Sequence, residues 1–160
     1  MPHPKAEALK VEGNSFFKSG QYQAAIDKYD AASEIDSNVP AYQSNAAACY
    51  EKLGDYSSME AAARKCISAN KSFVKGYFRL ATALKNLNDL SSCIKALESG
   101  LAVQSTNADL KKMMKEVKEL QSKEPEKKGK KDNSQFESSF QQLNVSKGMY
   151  FYYLRCEIIP

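Results

Sequence analysis

A step of 34 residues organises most of this 160-residue chain. Set the segments 5–38, 39–72 and 73–106 beneath one another, and positions of one physical character fall into columns. Gly13, Ala47 and Ala81 share a column of small residues; Phe16, Tyr50 and Leu84 share a column of large apolar ones. Tyr29, Ala63 and Leu97 form another column, while Gly20, Gly54 and Asn88 mark a turn followed two residues later by Tyr22, Tyr56 and Leu90. A period of this length is the signature of stacked helix–turn–helix units, each burying its apolar face against the next. The expected fold is therefore all-α: three such repeats and a helix that closes the stack, forming an α-solenoid.

Within each unit the spacing predicts two helices. Tyr22, Ala25, Ile26, Tyr29 and Ala32 recur at i, i+3, i+4 and i+7, and Tyr56, Met59, Ala63 and Cys66 repeat the stripe. Pro40 falls at the start of a helix, where a missing N–H costs little. A solenoid needs a polar cap, and residues 107–122 supply one. Leu110, Met113, Met114, Val117 and Leu120 make its apolar stripe, Lys111, Lys112, Lys115, Glu116, Lys118 and Glu119 its wet face, and Thr106 or Asn107 its N-cap.

Composition excludes several functions. The net charge is +4, with 16 basic against 14 acidic residues up to Ser122, so there is no broad nucleic-acid-binding face. No apolar run is long enough to span a membrane, and the N-terminus lacks the apolar core of a signal peptide, which points to the cytoplasm. Cys49, Cys66, Cys93 and Cys156 have no CxxC spacing and read as packed thiols. The single histidine, His3, and the lack of a Gly-rich phosphate loop leave no metal site, cofactor site or catalytic set. Glu51, Asp55 and Glu60 read as solvated surface. The expected protein is a monomer and not an enzyme.

Five residues remain unexplained by packing: Lys10, Asn14, Asn45, Lys75 and Arg79. Lys10 and Asn14 are i, i+4 on the first helix of unit one, and Lys75 and Arg79 are i, i+4 on the first helix of unit three. Asn45 lies between them on the first helix of unit two. First helices line one wall of a repeat stack, so all five converge. A partly dry cluster of cations repels itself unless anions fill it, and three cations with two amides suit two carboxylates. A C-terminal aspartate carries both on one residue.

These columns resemble the tetratricopeptide repeat, across residues 5–106, although no unit has tryptophan at the first aromatic position (Leu9, Gln43 and Tyr77) or proline at the end of its second helix (Ser37, Lys71 and Ser105). The five polar residues resemble the two-carboxylate clamp of chaperone-binding members of that family. The resemblance implies a co-chaperone adaptor that grips the C-terminal Glu-Glu-Val-Asp tail of heat shock protein 70, heat shock protein 90 or both. It also implies that Asn14, Asn45 and Lys10 hold the α-carboxylate and Lys75 the aspartate side chain, while Arg79 takes a group further along the tail. Phe17 and Ala48 would line an apolar pocket for upstream ligand residues. The same resemblance admits a fragment of a larger co-chaperone, a targeting module, or a scaffold for other peptides.

The repeat domain is expected over residues 1–122, with a charged linker over 123–135 and a tail over 136–160. Lys127, Lys128, Lys130 and Lys131 could also serve nuclear import, but a solvated linker is the simpler reading. The run from Met149 to Pro160 is apolar and aromatic, too short to cross a membrane, and out of place in an all-helical protein.

Overall fold

The corners between paired helices set the architecture. In the computed structural model, which describes residues 3–123, Gly20, Gly54 and Asn88 all adopt positive φ (78°, 74° and 61°). At each corner the next residue along the chain donates its N–H to a carbonyl five positions back: Gln21 to Phe16 (2.9 Å), Asp55 to Tyr50 and Asp89 to Leu84 (both 3.0 Å). This closes the helix by a 6→1 bond and turns the chain sharply. The turn column of the sequence is thus one backbone motif built three times.

Seven helices result among the described residues: α1 (Pro4–Lys18), α2 (Tyr22–Ile35), α3 (Pro40–Leu53), α4 (Tyr56–Ala69), α5 (Val74–Asn86), α6 (Leu90–Val103) and α7 (Ala108–Lys123). No strand occurs among the described residues. Each helix packs on the next in chain order, and α3 also touches α5. Side-chain hydrogen bonds from Tyr42 and Asn45 of α3 to Glu7 and Asn14 of α1 join the other pair, so the first helices of successive repeats are neighbours along one face. Asp55 and Asp89 cap α4 and α6 by accepting from Ser58 and Ser92 backbone N–H groups at 3.0 Å. His3 caps α1, its Nδ1 accepting from the Lys5 N–H at 3.2 Å. Asn107 caps α7 through its side-chain oxygen, 3.0 Å from the Leu110 nitrogen.

Small residues let the helices approach. A Cβ on Gly13 would stand 2.7 Å from Cε1 of Tyr29, so α2 can lay that ring on α1 only because position 13 has no side chain. Tyr29, Tyr42, Ile26 and Met59 are among the large side chains that vanish from solvent in the first two repeats. Leu80, Leu84, Leu97, Leu110, Met113 and Val117 form the core where α7 closes the stack. Leu120 departs from expectation: it stays 45% exposed, since the last turn of α7 carries it away from that core. Lys123, expected to open the linker, belongs to α7; the rest of the expected linker, Lys127, Lys128, Lys130 and Lys131 in it, Cys156 and the aromatic tail lie outside the described residues.

Candidate functional site

Lys10 and Asn14 project from α1, Asn45 from α3, and Lys75 and Arg79 from α5. Asn45 Nδ2 donates to Asn14 Oδ1 at 3.4 Å, which joins the first two helices of the face. Asn45, Lys75 and Arg79 line one cavity of about 430 Å³ between α3, α5 and the start of α7. Four of the five are thus linked by direct contact or a shared wall. Lys10 lies one turn before Asn14 on α1 and is half-buried.

Most of these groups are held from behind. Tyr29, 2% exposed, donates its hydroxyl to Asn14 Oδ1 at 2.7 Å. Burial pushes this phenol up to about 12, so it remains a neutral donor. Lys10 pairs with Glu7, whose other oxygen accepts from the buried Tyr42 hydroxyl at 2.9 Å. The Lys10 ammonium and then the Tyr42 hydroxyl hold the Glu7 carboxyl below its ordinary range. Arg79 gives one guanidinium nitrogen to Glu51 on α3. A planar fork has five N–H donors, so one contact leaves donors for a ligand. Lys75 makes no ion pair among the described residues and is the open cation of the group.

Asp55 stays at the exposed surface, as its sequence context suggested, and Glu51 and Glu60 are half-buried, but all three have partners. Glu51 pairs with Arg79, Asp55 caps α4, and Glu60 pairs with Arg64 at 2.8 Å. Glu51 pairs across two helices 28 residues apart, a partnership no local spacing reveals. The cavity also has walls that the sequence pattern does not single out. Val74 and Phe78 give it an apolar side, while Gln104 and Asn107 of the α6–α7 connection and Asp109 in the first turn of α7 bring polar groups. Phe17 and Ala48 are not part of this lining. Phe17 is half-buried and packs edge-on against Tyr22, ring centres 5.5 Å apart, and Ala48 is half-buried on α3.

A second cavity of about 540 Å³ lies between α4, α5 and α6 and shares none of the five residues. Its floor is Leu80, Leu84 and Ile67, and its two cations are Lys95 and Arg64, the latter already paired with Glu60. It offers no convergent set for an anion. Cys49, Cys66 and Cys93 are free and buried, and burial raises each thiol to about 11, which keeps the nucleophilic thiolate scarce. Among the described residues no three His, Cys, Asp or Glu side chains converge as a metal site, and no helix is long and apolar enough to cross a membrane.

Chemically, the groove presents amide N–H donors, an open ammonium and a partly engaged guanidinium. All are suited to an oxygen anion. The register that builds it is also found in known proteins. A TPR repeat model matches residues 13–54, and a tetratricopeptide repeat model matches residues 41–73 and 74–107. The chain belongs to the tetratricopeptide repeat family. This tetratricopeptide domain is 36% identical over 115 residues to small glutamine-rich tetratricopeptide repeat-containing protein 2 of Mycosarcoma maydis, covering 72% of this chain and 33% of the relative. It is 35% identical over 116 residues to the heat shock protein sti1 homolog of Schizosaccharomyces pombe, covering 72% of this chain and 20% of the relative. The chain thus spans between a fifth and a third of the length of these two relatives.

Solved structures share the fold. The first TPR of Spaghetti (RPAP3), bound to the HSP90 peptide SRMEEVD, superposes with a TM-score of 0.71 at 27% identity, over 76% of this chain and 99% of that one. The second TPR domain of human RPAP3, in complex with the HSP70 peptide SGPTIEEVD, does so at 0.69 and 28% identity, over 74% and 98%.

Proposed function

We propose that this tetratricopeptide domain is a co-chaperone adaptor that grips the free C-terminal acidic tail, of the Glu-Glu-Val-Asp type, of heat shock protein 70 and heat shock protein 90. One observation carries the reading. Side chains from α1, α3 and α5 supply amide donors and cations to one face of a fold whose solved neighbours hold peptides ending in that sequence. Asn14 and Asn45, with Lys10, take the α-carboxylate. Lys75 takes the aspartate side chain, and Arg79 a carbonyl or carboxylate further upstream. Phe17 and Ala48 remain candidates for contact with apolar residues upstream of the tail.

Each charge-assisted hydrogen bond contributes about 1.5–3 kcal/mol. Ordering a flexible peptide offsets much of that, leaving on the order of 8 kcal/mol, a micromolar affinity. The adaptor acts by tethering, with no covalent chemistry, and works in the cytoplasm as a monomer. Residues 1–122 form this adaptor domain, and residues 123–135 link it to the C-terminal segment 136–160.

The test is a titration of the protein with SRMEEVD carrying a free C-terminus and with the same peptide amidated. A clamp on the α-carboxylate binds the free acid with micromolar affinity and loses at least ten-fold on amidation. Equal affinity for the two would show a scaffold that reads internal residues and would end the clamp reading.

A further inference from the structure

A buried ring needs no hydroxyl. The column that contains Tyr29 holds Ala63 in the second repeat and Leu97 in the third, both fully buried without a polar atom. Packing alone would be met by phenylalanine at position 29, and burying an unpaired hydroxyl would cost free energy. Instead the hydroxyl reaches past the core to the groove and donates to Asn14 Oδ1 at 2.7 Å. The same oxygen accepts from Asn45 Nδ2 at 3.4 Å. Both acceptor sites of the Asn14 carbonyl are thereby used, while its Nδ2 makes no hydrogen bond among the described residues.

An asparagine amide can present either oxygen or nitrogen to a ligand, and its hydrogen-bond partners decide which. We propose that Tyr29 is a positioning residue of the groove: its phenol, together with Asn45 Nδ2 on the same oxygen, holds Asn14 with the oxygen inward and the NH₂ outward, so that the site takes an acceptor such as a carboxylate and disfavours a terminal amide, which puts an NH₂ in place of one acceptor oxygen. This rests on the clamp reading for its ligand but not for its geometry. Gly13 belongs to the same device, because only the missing Cβ lets the Tyr29 ring lie on α1 with its hydroxyl beside Asn14. The specificity of the groove is thus set partly from inside the core.

The test compares wild type with Tyr29→Phe, which removes the hydroxyl alone. Calorimetry uses SRMEEVD as the free acid and, by competition, as the C-terminal amide. The variant should keep the wild-type helical signal and a single cooperative melt. Its affinity for the free acid should fall about five-fold, the worth of one ordinary hydrogen bond, with that for the amide unchanged. The acid-to-amide ratio then shrinks by the same factor, which a general loosening of the core would not produce. An unchanged ratio, or a variant that no longer folds, overturns the proposal. A second readout needs no ligand: the Asn14 side-chain amide signals of the ¹⁵N-labelled free protein. Wild type should give one slowly exchanging pair, and Tyr29→Phe should broaden or split it. Should wild type bind neither peptide, the adaptor reading fails, and this signal decides Tyr29 alone; a pair untouched by the substitution overturns its role.

Discussion

A Cβ at position 13 would sit 2.7 Å from the Tyr29 ring, closer than real carbon atoms approach. Gly13→Ala must therefore push α1 off α2. Overpacking of this kind costs about 1–3 kcal/mol, so the urea midpoint should fall accordingly, and free-acid peptide should bind more weakly because Tyr29 withdraws from Asn14. Wild-type stability and affinity in that variant would contradict the packing account. At this scale the sequence placed Lys10, Asn14, Asn45, Lys75 and Arg79 on the first helices of their repeats, because their i, i+4 spacing and the repeat register are both local readings. It did not carry their supports. Tyr29 fits the apolar stripe and reads only as core. Glu51 read as solvent-facing because its partner, Arg79, lies on another helix. The donor end of a buried phenol and the reach of a carboxylate across helices depend on how close the helices come, which the pattern does not encode.

Among elements, the caps hold the register. Asp55 and Asp89 occupy equivalent positions and accept from Ser58 and Ser92. Substituting either with alanine should cost about 1 kcal/mol of stability, and with asparagine much less, as read by thermal melts. Asp55 is held below its ordinary range by the Ser58 hydroxyl and then the Ser58 backbone N–H, Asp89 by the Ser92 backbone N–H and then the Ser92 hydroxyl, and Glu7 by Lys10 and then Tyr42. A depressed folded-state pKa gives stability that is present above the unfolded value and lost as pH falls through the folded one. The melting midpoint should accordingly be level above roughly pH 5 and decline below roughly pH 4. The Asp55→Asn, Asp89→Asn double variant should show a shallower decline; an equal decline would place the acid sensitivity elsewhere. These caps sit beside a turn column visible in the sequence, so the corners were legible in advance. Gly54 at φ 74° makes the point: alanine there should lose about 1–2 kcal/mol.

For the folded unit as a whole, α7 closes a core that would otherwise face water. Leu110 and Val117 are fully buried and Met113 nearly so, against Leu80, Leu84 and Leu97 of the third repeat. Burying three such side chains contributes on the order of 5 kcal/mol. A chain ending at residue 106 should melt at a far lower temperature and self-associate, whereas a cooperative, monomeric melt would deny α7 its role. The 34-residue period gave away this architecture, cap included, because a repeat can bury its face only by stacking. The cavity wall formed by Gln104, Asn107 and Asp109 escaped it, since Asn107 and Asp109 lie beyond the last repeat and Gln104 falls in none of the matched columns.

The claim that three successive first helices form one carboxylate-binding face bears most directly on Lys75, the cation without an internal partner among the described residues. Calorimetry of wild type and Lys75→Glu with SRMEEVD and SGPTIEEVD tests it. Wild type should bind the tails with micromolar affinity, and the variant should lose at least ten-fold on both while melting as wild type does. Equal binding by the two proteins, or none by wild type, would contradict the account.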